Sequence, residues 1–161
     1  YALNYLSKRM LGLVGFTDNA QAYLRGRKLG PDALGDDLTL KRFRELCDRR
    51  CGVKSFLMNQ SVIAGIGNIY SDEIMFQARI HPGTQINSLD AAQVRNLYRI
   101  MRRVLKTASR HGGNTSSLPR GYIIPHRDND NRCPNCSAEL RTATINSRTC
   151  YFCPNCQPRD S

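Results

Sequence analysis

Two copies of Cys-Pro-Asn-Cys close the chain, one supplying Cys133 and Cys136 and the other Cys153 and Cys156, with residues 137–152 between them. A Cys-x-x-Cys turn presents both thiolates to one side, so two such turns supply a tetrahedron of sulfur, the closed coordination of a structural zinc ion (Zn2+). That geometry constrains the intervening residues more tightly than their own propensities do. Residues 140–145 and 148–152 are rich in threonine, aromatic and apolar side chains about Asn146-Ser147, which predicts a β-hairpin within a zinc ribbon. Cys150 also forms a Cys-x-x-Cys with Cys153, but the repeated Pro-Asn marks the other two pairs as the ligands and leaves Cys150 as a strand residue. Redox chemistry, or iron on the same sulfurs, is the competing use of these pairs. Seven cysteines, an odd number, suit metal binding in a reducing compartment better than a disulfide framework. Cys47 and Cys51 read as ordinary thiols, with a metal pair on one helix face as the alternative.

Ahead of the ribbon the pattern is helical. Thr39 is placed to cap a helix in which Leu40, Phe43, Leu46 and Cys47 recur at helical spacing. Residues 53–60 and 69–78 predict two more helices, the second ending before His81-Pro82. Ser88 is read as the cap of the longest helix, over residues 89–110, with Leu97, Ile100, Met101, Val104, Leu105 and Ala108 as its apolar stripe and Gly112-Gly113 as its stop. The hinge of this region is Gly65-Ile66-Gly67-Asn68. Its glycines permit backbone conformations that a side chain forbids, Asn68 stands where an N-cap is wanted, and free amides at such a turn make a phosphate seat. A plain glycine turn between two packed helices fits the same residues.

The mainly α fold expected from this reading has three parts. Residues 1–37, with a short strand at 11–16, read as the remnant strand and linker of an absent domain. Residues 38–113 form the helical domain. Residues 114–161 form a connector, broken by Pro119 and Pro125 around the apolar Tyr122-Ile123-Ile124, and then the ribbon. The formal charge of +11 on 161 residues favours a polyanionic partner, although any single arginine of the longest helix is by default solvated. No apolar run approaches the roughly 20 residues that cross a bilayer, and no signal peptide opens the chain. An intracellular, cytoplasmic or nucleoid-associated monomer is the expectation.

Residues 54–82 and 148–157 together resemble the helix-two-turn-helix and zinc-finger portions of the formamidopyrimidine-DNA glycosylase and endonuclease VIII family. The runs that carry the likeness are Lys54-Ser55-Phe56-Leu57-Met58-Asn59, the glycine turn into Asn68-Ile69-Tyr70-Ser71-Asp72-Glu73, and Arg148 ahead of the last knuckle. Gly12-Leu13-Val14 and Leu29-Gly30-Pro31-Asp32 resemble the linker before those helices. The resemblance implies that Lys54, Asn68 and Arg148, with Gly65 and Gly67 in the turn, hold the DNA backbone. It also brings Glu73 near the lesion, where a helix-surface salt bridge is the other reading. Arg9 and Leu11 fall near the positions that fill the gap left by a flipped base, with a structural role as the alternative. Asn59 departs from the family's usual Asp.

The resemblance implies a parent protein that removes oxidised bases from duplex DNA and cleaves the abasic strand. In the family an amino-terminal proline attacks C1′ and the neighbouring glutamate handles protons. Positions 1 and 2 here are Tyr1-Ala2, so this chain is expected to be the DNA-binding half, with no catalytic residue of its own. Residues 114–132 look short for the loop that covers an oxidised purine, which tilts the likeness toward the endonuclease VIII branch. An RNA-binding helix-two-turn-helix protein and a zinc-ribbon protein-interaction module are the alternatives from other classes.

Overall fold

The computed structural model describes residue 5 and residues 14–127 and 130–159. Arg9, Leu11 and the first half of the strand expected at 11–16 lie outside the described residues, and residues 14–16, which are described, form no strand. A short helix not foreseen in the sequence, α1 (Ala20–Gly26), begins at Asn19, whose side chain accepts from the Ala22 amide. It buries none of its residues.

The helical domain is built from α2 (Leu40–Cys47), α3 (Val53–Met58), α4 (Asn68–Ala78) and α5 (Ala91–Arg110). Thr39 caps α2 as expected. Ser88 does not cap the long helix; it ends a 3₁₀ turn at Ile86–Ser88. Asp90 takes the cap instead, closing a capping box with Gln93, because an aspartate followed three residues later by glutamine satisfies two orphan amides reciprocally. The stripe Leu97, Ile100, Met101, Val104, Leu105 and Ala108 is buried as predicted.

Helix α4 sits between α3 and α5 with strand contacts on a further side, and it buries Ser71, Asp72, Glu73, Ile74, Met75, Phe76 and Ala78. A helix enclosed on that many sides cannot keep a polar face, so its acidic residues need internal partners. The main core joins Phe43, Phe56, Leu57, Ile63, Met75, Leu97 and Met101 across the helices. A second, smaller cluster of Phe76, Ile123, Leu140, Cys133 and Cys153 seats the ribbon on α4. The connector is therefore packed rather than free: Ile123 has no exposed surface, and Ile124–His126 forms a 3₁₀ turn.

Strands β1 (Arg141–Ile145) and β2 (Arg148–Phe152) pair antiparallel, with Ile145 opposite Arg148 beside the tip. Asn146 and Ser147 both take positive φ, 50° and 58°, the backbone a two-residue hairpin turn with right-handed strand twist demands. The hairpin expected between the knuckles is thus present, and Cys150 is buried within β2 opposite Ala143.

Candidate nucleic-acid interface and metal centre

The glycine turn is held from behind by residues 30–33. Gly30 N–H donates to Gln60 O, Ala33 N–H to Ala64 O and Ala64 N–H to Pro31 O, each at 2.9 Å. The contact is so close that a Cβ at Gly30 would lie 2.4 Å from Val62 O. In the turn itself only Gly65 needs its freedom, at φ 96°. Gly67 is extended, and nothing lies within 4 Å of where its Cβ would be. Both glycines are exposed. Gly67, not Asn68, is the N-cap of α4, and no side chain caps it. The first-turn amides are thus left for an external acceptor, with the positive end of the helix dipole behind them.

Asn68 does a different job from the capping expected of it. Its Nδ2 donates to Thr149 O in β2 at 3.2 Å, which ties the start of α4 to the strand that carries Arg148. Arg148 is exposed and has no ion-pair partner among the described residues. Asn146 Nδ2 reinforces the same junction by donating to Ser55 Oγ at 2.8 Å. Asn68 and Arg148 are thereby brought to one edge of the molecule.

Lys54 does not stand at that edge, contrary to the expectation from sequence. Its side chain is 1% exposed, and its Nζ pairs with Asp72 Oδ1 at 2.5 Å and reaches Thr149 O at 3.4 Å. Lysine's long stem carries the charge inward to a buried carboxylate, and a side chain so enclosed offers nothing to a phosphate. The signal that would have found this is Asp72 itself, an acid on a helix with no polar face.

Glu73 is also fully buried. One carboxylate oxygen accepts from Gln77 Nε2 at 2.9 Å and the other from the Ile124 amide at 3.1 Å, so it anchors the connector and does not form a salt bridge on the helix surface. Burial raises its pKa from the ordinary 4.5 to about 7, against the opposing pull of Gln77, the Ile124 and Ile123 amides and Arg127. A group whose folded value lies above its unfolded one contributes fully below the unfolded value and loses that contribution as pH rises through the folded one. Wild-type stability should therefore lose up to about 3 kcal/mol from this group between about pH 5 and pH 8. Glu73→Gln should remove that fall, read by urea unfolding across the window; equal pH slopes in the two proteins would refute the assignment.

The four knuckle cysteines converge. Their sulfurs all lie within 4.8 Å of one another, with Cys133 and Cys156 at 3.7 Å and Cys136 and Cys153 at 3.5 Å. A zinc tetrahedron with bonds of about 2.3 Å has sulfur–sulfur edges of about 3.8 Å, whereas a disulfide needs about 2.05 Å. The donor set thus fits a metal, and all seven cysteines are free. Knuckle amides point at sulfur, Asn135 N to Cys133 and Cys156 N to Cys153 at 3.4 Å each. The Cys136 thiol is lowered to about 7, chiefly by the Ala138 amide. Among the described residues no other group of three or more metal-ligating side chains converges, so Cys150 lies outside the metal cluster and Cys47 and Cys51 have no third ligand beside them. Burial pushes the Cys47 and Cys150 thiols up to about 12, which leaves both unreactive at neutral pH.

Residues 29–120 match the family described as the formamidopyrimidine-DNA glycosylase H2TH domain. The formamidopyrimidine-DNA glycosylase of Thermomicrobium roseum is 33% identical over 177 residues, an alignment covering 98% of this chain and 59% of that protein. The protein of the same name from Symbiobacterium thermophilum is 38% identical over 141 residues, 81% of this chain and 46% of its own length. Among solved structures, MutM in complex with DNA containing carbocyclic 8-oxo-G superposes with a TM-score of 0.74 at 30% identity, over 89% of this chain and 56% of that one. The Lactococcus lactis Fpg bound to abasic-site DNA gives 0.71 at 28% identity, over 86% and 55%. This chain thus spans about half to three fifths of the length of the relatives it matches. Their names run against the tilt toward the endonuclease VIII branch drawn from the short connector. With the glycine turn, the hairpin and the paired knuckles all in place, this chain belongs to the formamidopyrimidine-DNA glycosylase H2TH domain family.

Proposed function

We propose that this chain is the duplex-DNA-binding half of a base excision repair glycosylase and abasic-site lyase acting on oxidised bases. The observation that carries this reading is the bond from Asn68 to Thr149 O, which sets the uncapped start of α4 beside Arg148 on one edge. Amides at a helix start attract phosphate, and a guanidinium remains charged while donating two hydrogen bonds to it. The net charge of +11 and the DNA complexes formed by MutM and the L. lactis Fpg support the same reading.

One zinc ion, held by Cys133, Cys136, Cys153 and Cys156, serves to fold the ribbon. The coordination is closed, so the metal takes no substrate. Chemistry on the sugar is left to the two fifths or more of the relatives' length that this chain does not cover. The 161-residue chain is assigned binding without efficient excision.

Arg148→Ala tests the grip. It should weaken duplex binding by roughly tenfold, regardless of sequence, and flatten the slope of log K against log salt by about one unit. Fluorescence anisotropy across a salt series reads both quantities. An unchanged slope would take Arg148 out of the interface.

A further inference from the structure

Asp72 occupies a place that DNA binding alone does not explain. It is a carboxylate with no exposed surface, on the helix whose free end is assigned to phosphate, in a protein whose partner repels it. Its charge is matched internally by Lys54, with Arg127 Nη2 at 3.7 Å. Its second oxygen does something else: Oδ2 accepts the Tyr151 backbone N–H at 3.1 Å.

Helix and strand are in step here. Asn68 and Asp72 are four apart on α4, so they lie on one face about 6 Å apart along the axis. Thr149 and Tyr151 are two apart on β2, about 6.6 Å along the strand. Asn68 meets Thr149 and Asp72 meets Tyr151, a two-point clamp in which the near-equal rises fix the strand's register against the helix. Lys54 Nζ, from α3, touches both partners of the clamp, Asp72 Oδ1 and Thr149 O. The Arg127 guanidinium covers the Tyr151 ring at 4.3 Å. Arg148 is the residue immediately before this clamp.

Resting on the DNA-binding reading above, we infer that Asp72 is a positioning residue: its bond to the Tyr151 amide holds the hairpin in the register that puts Arg148 on the same DNA backbone as the start of α4. Lys54 neutralises the carboxylate that makes this bond. A slip of β2 by one residue would turn Arg148 to the opposite face.

Two variants of equal net charge separate this from a general electrostatic effect. Lys54→Met with Asp72→Asn removes both charges but leaves a side-chain oxygen for the Tyr151 amide. Lys54→Met with Asp72→Leu removes both charges and the acceptor. The asparagine pair should bind duplex DNA within about threefold of wild type. The leucine pair should lose roughly tenfold, as Arg148→Ala does, with the same flattened salt slope, and adding Arg148→Ala to it should cost little more. Circular dichroism and zinc content monitor the fold.

Wild-type affinity with the leucine pair, or a loss that simply adds to that of Arg148→Ala, would overturn the inference while leaving the DNA-binding reading intact. No DNA binding by the wild type would overturn both. Hydrogen exchange at the Tyr151 amide gives a test independent of whether the variants fold. It should be slow in the wild type, and fast exchange there would refute the clamp outright.

Discussion

Removing the metal should unfold residues 131–159 and leave the helical domain standing. The cluster that seats the ribbon takes Phe76 from α4, Ile123 from the connector and only Leu140 from the ribbon itself, its other fully buried members, Cys133 and Cys153, being ligands, while β2 adds Cys150 to the main core. So small a core does not offset the entropy of ordering the segment, and the binding of structural zinc, about 10 kcal/mol or more in isolated fingers, has to supply most of the difference. The main core from Phe43 to Met101 does not depend on those sulfurs. Chelation, or Cys133→Ser, should therefore abolish the hairpin's amide dispersion while most of the helical circular dichroism remains. One equivalent of zinc per chain is expected from metal analysis. The assignment is wrong if no zinc is found, or if Cys150→Ser releases it and Cys156→Ser does not.

Lys54→Met alone should cost about 3–5 kcal/mol of stability, because it leaves the Asp72 carboxylate buried without its main counter-charge. Arg127, at 3.7 Å from the other oxygen, is too distant to replace an ammonium at 2.5 Å. A second change, Asp72→Asn, should recover most of the loss, since neutral residues of similar size often substitute for a buried ion pair without penalty. Urea unfolding of the single and paired variants decides it. A surface lysine would give a change below about 1 kcal/mol, and that result would mean that the pair is not buried in solution.

What the sequence could and could not reveal divides along locality. The knuckles, the Asn146-Ser147 turn, the stripe of α5 and the Thr39 cap each depend on residues within one element, and each could be read from spacing. The likeness to the glycosylase family was legible in the same way, since its motifs are short continuous runs. The burial of Lys54 was not legible because the identity of its partner depends on α3 and α4 packing side by side, and the family likeness that implies a DNA contact for it carries no sign of that partner. The burial of Glu73 was hidden for a related reason: its oxygens are taken by Gln77 and by the Ile124 amide, from a connector that looked polar and free. Asn68 fits a cap by type, but β2 offers its amide a carbonyl that no local pattern predicts. The Asp90 and Gln93 box was readable and was passed over for Ser88, two residues earlier. Helix α1, with no buried residue, gives no apolar period to find.

The central claim is that the start of α4 and the hairpin form one grip on duplex DNA, and the most direct test is an anisotropy titration of a labelled duplex containing an abasic site at several salt concentrations. If about four phosphates are held, log K should fall with log salt at a slope near −3.6, with duplex RNA a poor competitor. Binding that ignores salt, or duplex RNA competing as well as duplex DNA, would contradict it.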